Sequence, residues 1–226
     1  MKKTTSRILS ALLICLLILY VTQGAFADSI YVYFGVYPQA GSEFDEPILW
    51  RIVDVYEKQA YLLSEYVLDC RRFDRTSNSW KNSAINEWLN GPFLEMAFPE
   101  HSQRSALRKA AEPDAYVFIP SLEDFLSEPY GFSADSKYPD LARTTHGTRY
   151  ALQNGLSVSD GGGCSYFTRT PADNAKLISQ IRGNGTAGVA NCDRANIGIR
   201  PAIMLDLNWL SITGGTGTAE DPFRTQ

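Results

Sequence analysis

The chain has 226 residues, with 21 basic and 25 acidic side chains and a net charge of −4. A chain of this length fits a single domain. Its negative charge argues against nucleic-acid binding, which needs a basic surface to meet the phosphates. Its two histidines are isolated and no C-x-x-C pair occurs, so no metal-binding motif can be assigned.

Residues 1–27 have the pattern of a cleavable secretory signal peptide. The basic start MKKTTSR precedes an apolar run from Ile8 to Val21, and Ala25-Phe26-Ala27 offers a cleavage site. As a helix the run would rise roughly 21 Å, short of the roughly 30 Å hydrocarbon core. We therefore expect cleavage and export to the cell envelope or the medium. The mature chain is then expected not to insert in a membrane, and it should carry 18 basic and 25 acidic residues, a net charge of −7.

The mature chain opens with predicted strands. The segments from Ile30 to Phe34, Ile48 to Tyr56 and Ala60 to Ser64 are rich in β-branched and aromatic residues. The second and third are separated by three polar residues, which favours a hairpin. Both faces of the second segment are partly apolar, so we expect it to be a central strand.

Short helices are predicted for the middle of the chain. Ile85, Trp88 and Leu89 have helical spacing, Asn82 or Ser83 is a suitable N-cap, and Gly91-Pro92 is expected to end the helix. The same patterns predict a second helix near residues 93–97, a strand at 116–119, a helix beginning within 120–124 and a helix at 145–153.

The last third is predicted to be strands and loops. Strands are expected at 164–168, 176–181 and 197–205, and Pro201 inside the last one indicates an edge position or a bulge. Strands followed by helices and then strands indicate an α+β fold with antiparallel strands. We expect one domain at 28–210, followed by a Gly-rich C-terminal tail at 211–226.

Signal cleavage would leave an odd number of cysteines: Cys70, Cys164 and Cys192. Cys70 ends an apolar run that is typical of core, whereas the other two lie in polar, Gly-rich segments. An oxidising compartment would allow one disulfide, for which Cys164 and Cys192 are the favoured pair. Three free thiols are the alternative.

No catalytic residue can be assigned, because the chain contains no G-x-S-x-G, H-E-x-x-H or P-loop motif. The glycines at 161–163 lead into a predicted strand and not into a helix N-terminus, so they do not form a phosphate cradle. No cofactor is expected. Asp160, Asp193 and Asn196 are the oxygen ligands from which a calcium site would be built, although their spacing matches no known calcium loop.

Seven blocks in order resemble the bacterial DUF6273 domain family, which has no assigned function. They are FGVYPQ at 34–39, ILWRIVDV at 48–55, AYLLSEYVLDCRRF at 60–73, WKNSAINEWLNGPFLEMAF at 80–98, VFIPSLEDF at 117–125, YFTRTP at 166–171 and IGIRPAI at 197–203. The resemblance spans about residues 31–206. It implies that the chain shares the architecture of this family and that it is exported.

The last two blocks are also similar, more loosely, to the closing strands of C-type-lectin-like domains, a group that includes formylglycine-generating enzymes. That likeness implies a C-type-lectin-like fold. The enzyme branch uses two closely spaced cysteines, whereas Cys164 and Cys192 are far apart in this chain, which argues against formylglycine chemistry.

These observations favour a secreted, non-catalytic binding domain, with a carbohydrate or a cell-surface protein as ligand. The alternatives are an extracytoplasmic enzyme, either a hydrolase or a thiol-dependent oxidase, and a structural envelope protein. Ligand sites in such folds lie on loops held by strands. The candidate ligand-binding residues of the loop-rich last third are Asp160, Tyr166, Arg169, Asn191, Asp193 and Arg194.

Overall fold

The computed structural model describes residues 29–41 and 45–225. The predicted signal peptide lies outside these residues. Two sheets and several short helices make up the described part, so the predicted α+β class is confirmed. The strands are β1 Ile30–Pro38, β2 Asp45–Tyr56, β3 Gln59–Ser64, β4 Asp69–Cys70, β5 Leu107–Arg108, β6 Val117–Phe118, β7 Tyr166–Pro171, β8 Leu177–Ile181, β9 Ala187–Asn191, β10 Gly198–Ile199, β11 Ala202–Asp206, β12 Ile212–Gly214 and β13 Phe223–Thr225.

The helices are all short. They are α1 Ala84–Trp88, α2 Leu94–Ala97, α3 His101–Ala106 and α4 Arg149–Gln153, with a π-helical turn at Leu89–Phe93 and 3₁₀ turns at Trp80–Asn82, Asp124–Leu126 and Glu128–Tyr130. No helix among the described residues is long and apolar enough to cross a membrane.

The larger sheet has the strand order β12-β13-β1-β2-β3-β11-β5, and β6 also pairs with β11. The predicted hairpin is confirmed, because β2 and β3 pair antiparallel around a two-residue turn at Glu57 and Lys58, both with positive φ. The prediction that β2 is central is also confirmed. The Gly-rich C-terminal segment is part of this sheet, since β13 pairs parallel with β1.

The smaller sheet has the order β4-β10-β7-β8-β9. One continuous strand was expected at 197–205, with Pro201 at an edge or a bulge. Instead the chain leaves β10 of the smaller sheet and enters β11 of the larger sheet at Arg200-Pro201. Pro201 has no N–H for a ladder, and its carbonyl accepts the Ser64 N–H at 2.9 Å. The proline therefore stands where the chain changes sheets.

Alternation along the strands produces two apolar clusters. Trp50, Leu62 and Ile203 contribute to the first, and Tyr61, Leu63 and Ala202 contribute to the second. The smaller sheet adds to both, with Phe167 in the first cluster and Tyr166 in the second. Both faces of the larger sheet are therefore covered, and the two sheets share one interior.

The first helix does not end at Gly91-Pro92 as the sequence predicted. Ser83 caps α1 as expected, with its hydroxyl accepting the Asn86 N–H at 3.2 Å, but the backbone continues through Pro92 in the π-helical turn and on into α2. Asn90 supplies a hydrogen bond within this irregular stretch, since its side-chain amide donates to the Asn86 carbonyl at 3.1 Å. The same amide donates to the Val117 carbonyl at 2.9 Å, which joins this stretch to β6.

Two fully buried arginines join the loops to the sheets. The Arg143 guanidinium donates to five backbone carbonyls, those of Phe125, Ser133, Asp135, Tyr138 and Gly185, at 2.6–3.2 Å. Arg200 donates to the Ser64 carbonyl at 2.9 Å and to the Tyr166 hydroxyl at 3.2 Å. The Tyr166 hydroxyl in turn donates to the Arg143 carbonyl at 2.6 Å. One hydrogen-bonded chain thus connects β3, β7 and the loop at 125–140.

Replacing Arg143 with methionine is expected to lower the free energy of unfolding by about 3–5 kcal/mol, because the hydrogen bonds of a fully buried guanidinium to five backbone carbonyls are lost. Urea denaturation of the mature chain measures this change. Arg224→Met, at an exposed arginine, is the matched control and should change stability by less than about 0.5 kcal/mol. Equal effects of the two substitutions would show that the Arg143 bonds do not stabilise the fold.

Candidate functional site

The candidate site is a cleft of about 270 Å³ beside the smaller sheet, which we call the arginine cleft. Its lining residues are Arg71, Arg72, Asp74, Arg75, Ala84 and Ala195. The chain leaves β4 at Cys70, so the arginines stand on the segment between this strand and α1. The opposite wall is the turn that follows β9.

Two hydrogen bonds join the walls of the cleft. The Asp74 N–H donates to the Cys192 carbonyl at 3.1 Å, and the Arg72 Nε donates to the Asp193 carbonyl at 2.9 Å. Phe73 between them is fully buried and packs edge to face on Phe167 of β7, with ring centroids 5.9 Å apart. The buried ring anchors the segment, so its polar neighbours Arg72 and Asp74 are directed toward the cleft.

Asp74 organises the floor of the cleft. Its Oδ1 accepts the N–H groups of Thr76 and Ser77, and its Oδ2 accepts the Ala84 N–H at 3.1 Å. Partial desolvation raises the pKa of this carboxyl, but the hydrogen bonds from the backbone outweigh it and hold the pKa below its ordinary value. The carboxylate therefore fixes the loop between β4 and α1 while it is ionised.

A buried carboxylate, Asp69, lies behind the arginines in β4. It accepts the Tyr37 hydroxyl at 2.9 Å and the Asn154 amide at 3.0 Å, and its Oδ2 is 3.6 Å from the Arg71 Nη2. The Arg71 guanidinium also lies over the Trp88 ring, 3.9 Å from the centroid. These contacts set the direction of the Arg71 side chain, which remains 42% exposed at the cleft.

The sequence-predicted ligand-binding residues are divided by the fold. Asn191 ends β9 and is exposed, as are Asp193 and Arg194 on the turn that follows, and Asp160 is exposed on the turn at 159–163. Tyr166 is fully buried under Arg200, so the structure places its side chain away from the exposed loop surface. Arg169 lies on β7, where it pairs with Asp124 at 2.8 Å, away from the cleft.

The loops at 154–165 and 183–196 do contact each other. The Ser157 N–H donates to the Asn196 carbonyl at 3.1 Å, and the Asn196 amide donates to the Ser157 hydroxyl at 2.6 Å. One backbone and one side-chain hydrogen bond thus hold the two loops together without a disulfide. No group of three or more His, Cys, Asp or Glu that could hold a metal ion occurs among residues 29–41 and 45–225.

The favoured disulfide is absent. Cys164 and Cys192 are free thiols, as is Cys70, and all three are buried. The physical reason is that Cys164 packs in the second apolar cluster and Cys192 in the first. Burial raises the pKa of each thiol, and for Cys70 burial together with the Asp69 charge raises it to about 11.

The arginines at 71, 72 and 75 were missed by the sequence analysis, which described this stretch only as the end of an apolar run. The sequence feature that could have identified them is RRFDR at 71–75, in which the apolar Phe73 has charged residues on both sides. This pattern indicates an anchored segment with exposed charged neighbours, but it does not indicate which loop forms the opposite wall.

A domain-of-unknown-function model, DUF6273, matches residues 57–207, which is more than half of the chain. No curated protein and no solved structure matches.

In native mature protein we expect all three thiols to react slowly with Ellman's reagent near neutral pH, because the reacting thiolate is scarce and shielded. Denatured protein should show three reactive thiols without added reductant. A reduced sample is the control and should give the same count. A single reactive thiol before reduction would instead demonstrate a disulfide.

Asp74→Asn is expected to destabilise the fold near neutral pH, since an amide has one acceptor oxygen where the carboxylate uses two. The folded-state pKa of Asp74 is depressed, so its stabilisation is present above the ordinary carboxyl pKa and is lost as pH falls through the folded-state pKa. Urea denaturation of both proteins should therefore show a difference in the free energy of unfolding that becomes smaller as the pH is lowered into the acid range. A difference in the free energy of unfolding that does not change with pH would contradict a role for the ionised carboxylate.

Proposed function

We propose, from the premise that the chain belongs to the DUF6273 family, that the mature protein is an exported, non-catalytic binding domain. Its ligand, a carbohydrate or a cell-surface protein, contacts the arginine cleft and the adjacent turn at 191–195. The C-type-lectin-like fold suggested by the sequence is part of the same proposal.

The observation that carries the proposal is the construction of the cleft. Three guanidinium groups stand on a segment that is anchored by a buried ring, and two hydrogen bonds hold the opposite wall in place. A site held in this way loses little conformational freedom on binding. A concave site with directed polar groups is typical of ligand binding, and it weighs against a purely structural envelope protein.

The chemistry of the cysteines weighs against the thiol-dependent oxidase alternative. Such an enzyme needs an accessible thiolate with a lowered pKa. All three described cysteines are buried, and the pKa of each is raised. The hydrolase alternative is tested below by looking for turnover of the captured ligand.

Blocking the cleft should abolish ligand capture. Ala195→Trp places a large side chain in the cleft without changing its charge, and Ala111→Trp, at an exposed alanine of a different loop, is the matched control. We expect wild type and the control to retain the same glycan on an array, or the same envelope protein in a pull-down, and Ala195→Trp to lose it. Equal binding by both variants, no bound ligand at all, or cleavage of the captured ligand would contradict the proposal.

A further inference from the structure

We infer that the arginine cleft binds an oxyanion, which is a carboxylate, sulfate or phosphate group carried by the ligand. This inference rests on the proposed binding function and adds the chemical class of the ligand. Three arginines and one aspartate, Asp74, line one small concave surface of a chain whose overall charge is negative. The positive charge is therefore local, which suits a single anionic group better than a polyanion such as nucleic acid.

The donors of these arginines are largely unused within the described residues. Arg72 makes one hydrogen bond, through Nε to the Asp193 carbonyl, so its two terminal nitrogens are available. The Nε of Arg71 is buried and has no hydrogen-bond partner among the described residues. This enclosed atom is also closed to a ligand, so the groups of Arg71 that a ligand reaches are the terminal nitrogens of a side chain that is 42% exposed.

The neighbouring carboxylates lower the net positive charge of the cleft, but they do not occupy the terminal guanidinium donors. Asp69 is 3.6 Å from Arg71, too far for a hydrogen bond, and both of its oxygens already accept other donors. Both oxygens of Asp74 accept backbone N–H groups. The Asp193 side chain is exposed beside the cleft, where water screens its charge.

The orientation of Arg71 also suits an oxyanion. Its guanidinium lies over the Trp88 ring at 3.9 Å, which keeps the planar fork in one direction. A planar fork matches the two oxygens of a carboxylate or two of those of a sulfate or phosphate group. The cleft volume of about 270 Å³ admits such a group with a small part of the molecule that carries it.

Isothermal titration calorimetry of the mature protein tests the inference with four probes: glucuronate, inorganic sulfate, inorganic phosphate and neutral glucose. We expect at least one oxyanion to bind and glucose not to bind, with affinity that falls as salt is added. The strongest of the three oxyanions identifies which group the ligand carries.

Arg72→Gln and Arg75→Gln should each weaken oxyanion binding about tenfold, because each removes one charged donor from the cleft. Arg224→Gln, at an exposed arginine of β13, is the matched control and should leave the affinity unchanged. Circular dichroism of each variant establishes that it has folded.

Two results would overturn the inference: none of the oxyanions binds, or an oxyanion binds Arg72→Gln and Arg75→Gln as tightly as it binds the wild-type protein. A neutral ligand that Ala195→Trp excludes and that both glutamine variants still bind would overturn the anion class while leaving the proposed binding function intact. Failure of the binding function itself would appear separately, as ligand capture that Ala195→Trp does not change.

Discussion

The fold depends on guanidinium groups that are buried against backbone carbonyls. Arg143 and Arg200 are completely enclosed, and between them they satisfy carbonyls from β3, from the loop at 125–140 and from the turn at Gly185. Long loops carry many polar backbone groups that cannot be buried without partners. A single arginine with five donors can satisfy several of them at once, which allows this loop-rich chain to pack around two small sheets.

The charges at this centre are not fully balanced. Glu65 lies 3.7 Å from Arg51 and 4.0 Å from Arg200, so one carboxylate faces two guanidinium groups. Burial and the charge of Arg200 lower the pKa of Arg51, and Glu65 opposes this effect. Removing one member of such a group leaves a buried charge without compensation, which costs more than the intact group contributes. The arrangement therefore tolerates little change, and it fixes how β2, β3 and β10 meet.

The arginine cleft uses the same kind of interaction at the surface. There the carboxylate oxygens of Asp69 and Asp74 accept protein donors, whereas the terminal nitrogens of Arg72 make no hydrogen bond within the described residues. The buried Asp69 and the half-buried Asp74 shape the segment, and the guanidinium groups face outward. The enclosed arginines and the exposed ones differ in the supply of acceptors around them, and this supply is a property of the folded chain.

Local sequence patterns were sufficient to predict those parts of the fold that depend on residues close together in the sequence. The β2–β3 hairpin, the Ser83 cap and the α+β class followed from alternation, capping residues and the order of the elements. Contacts between distant segments were not predictable. Pro201 marks a change of sheet because β10 and β11 pair with different partners, and Tyr166 is buried because Arg200 covers it. The cleft requires Arg72 to meet the turn after β9, a contact that neither segment reveals alone.

The central claim is that the arginine cleft is already formed in the protein without ligand. Hydrogen exchange of the Asp74 and Ile85 amides tests it most directly, because these groups donate to the Cys192 and Phe73 carbonyls and hold the cleft together. A preformed cleft predicts that both amides exchange as slowly as those of the central strand β2. Exchange at the rate of an unfolded chain, with β2 still protected, would contradict the claim.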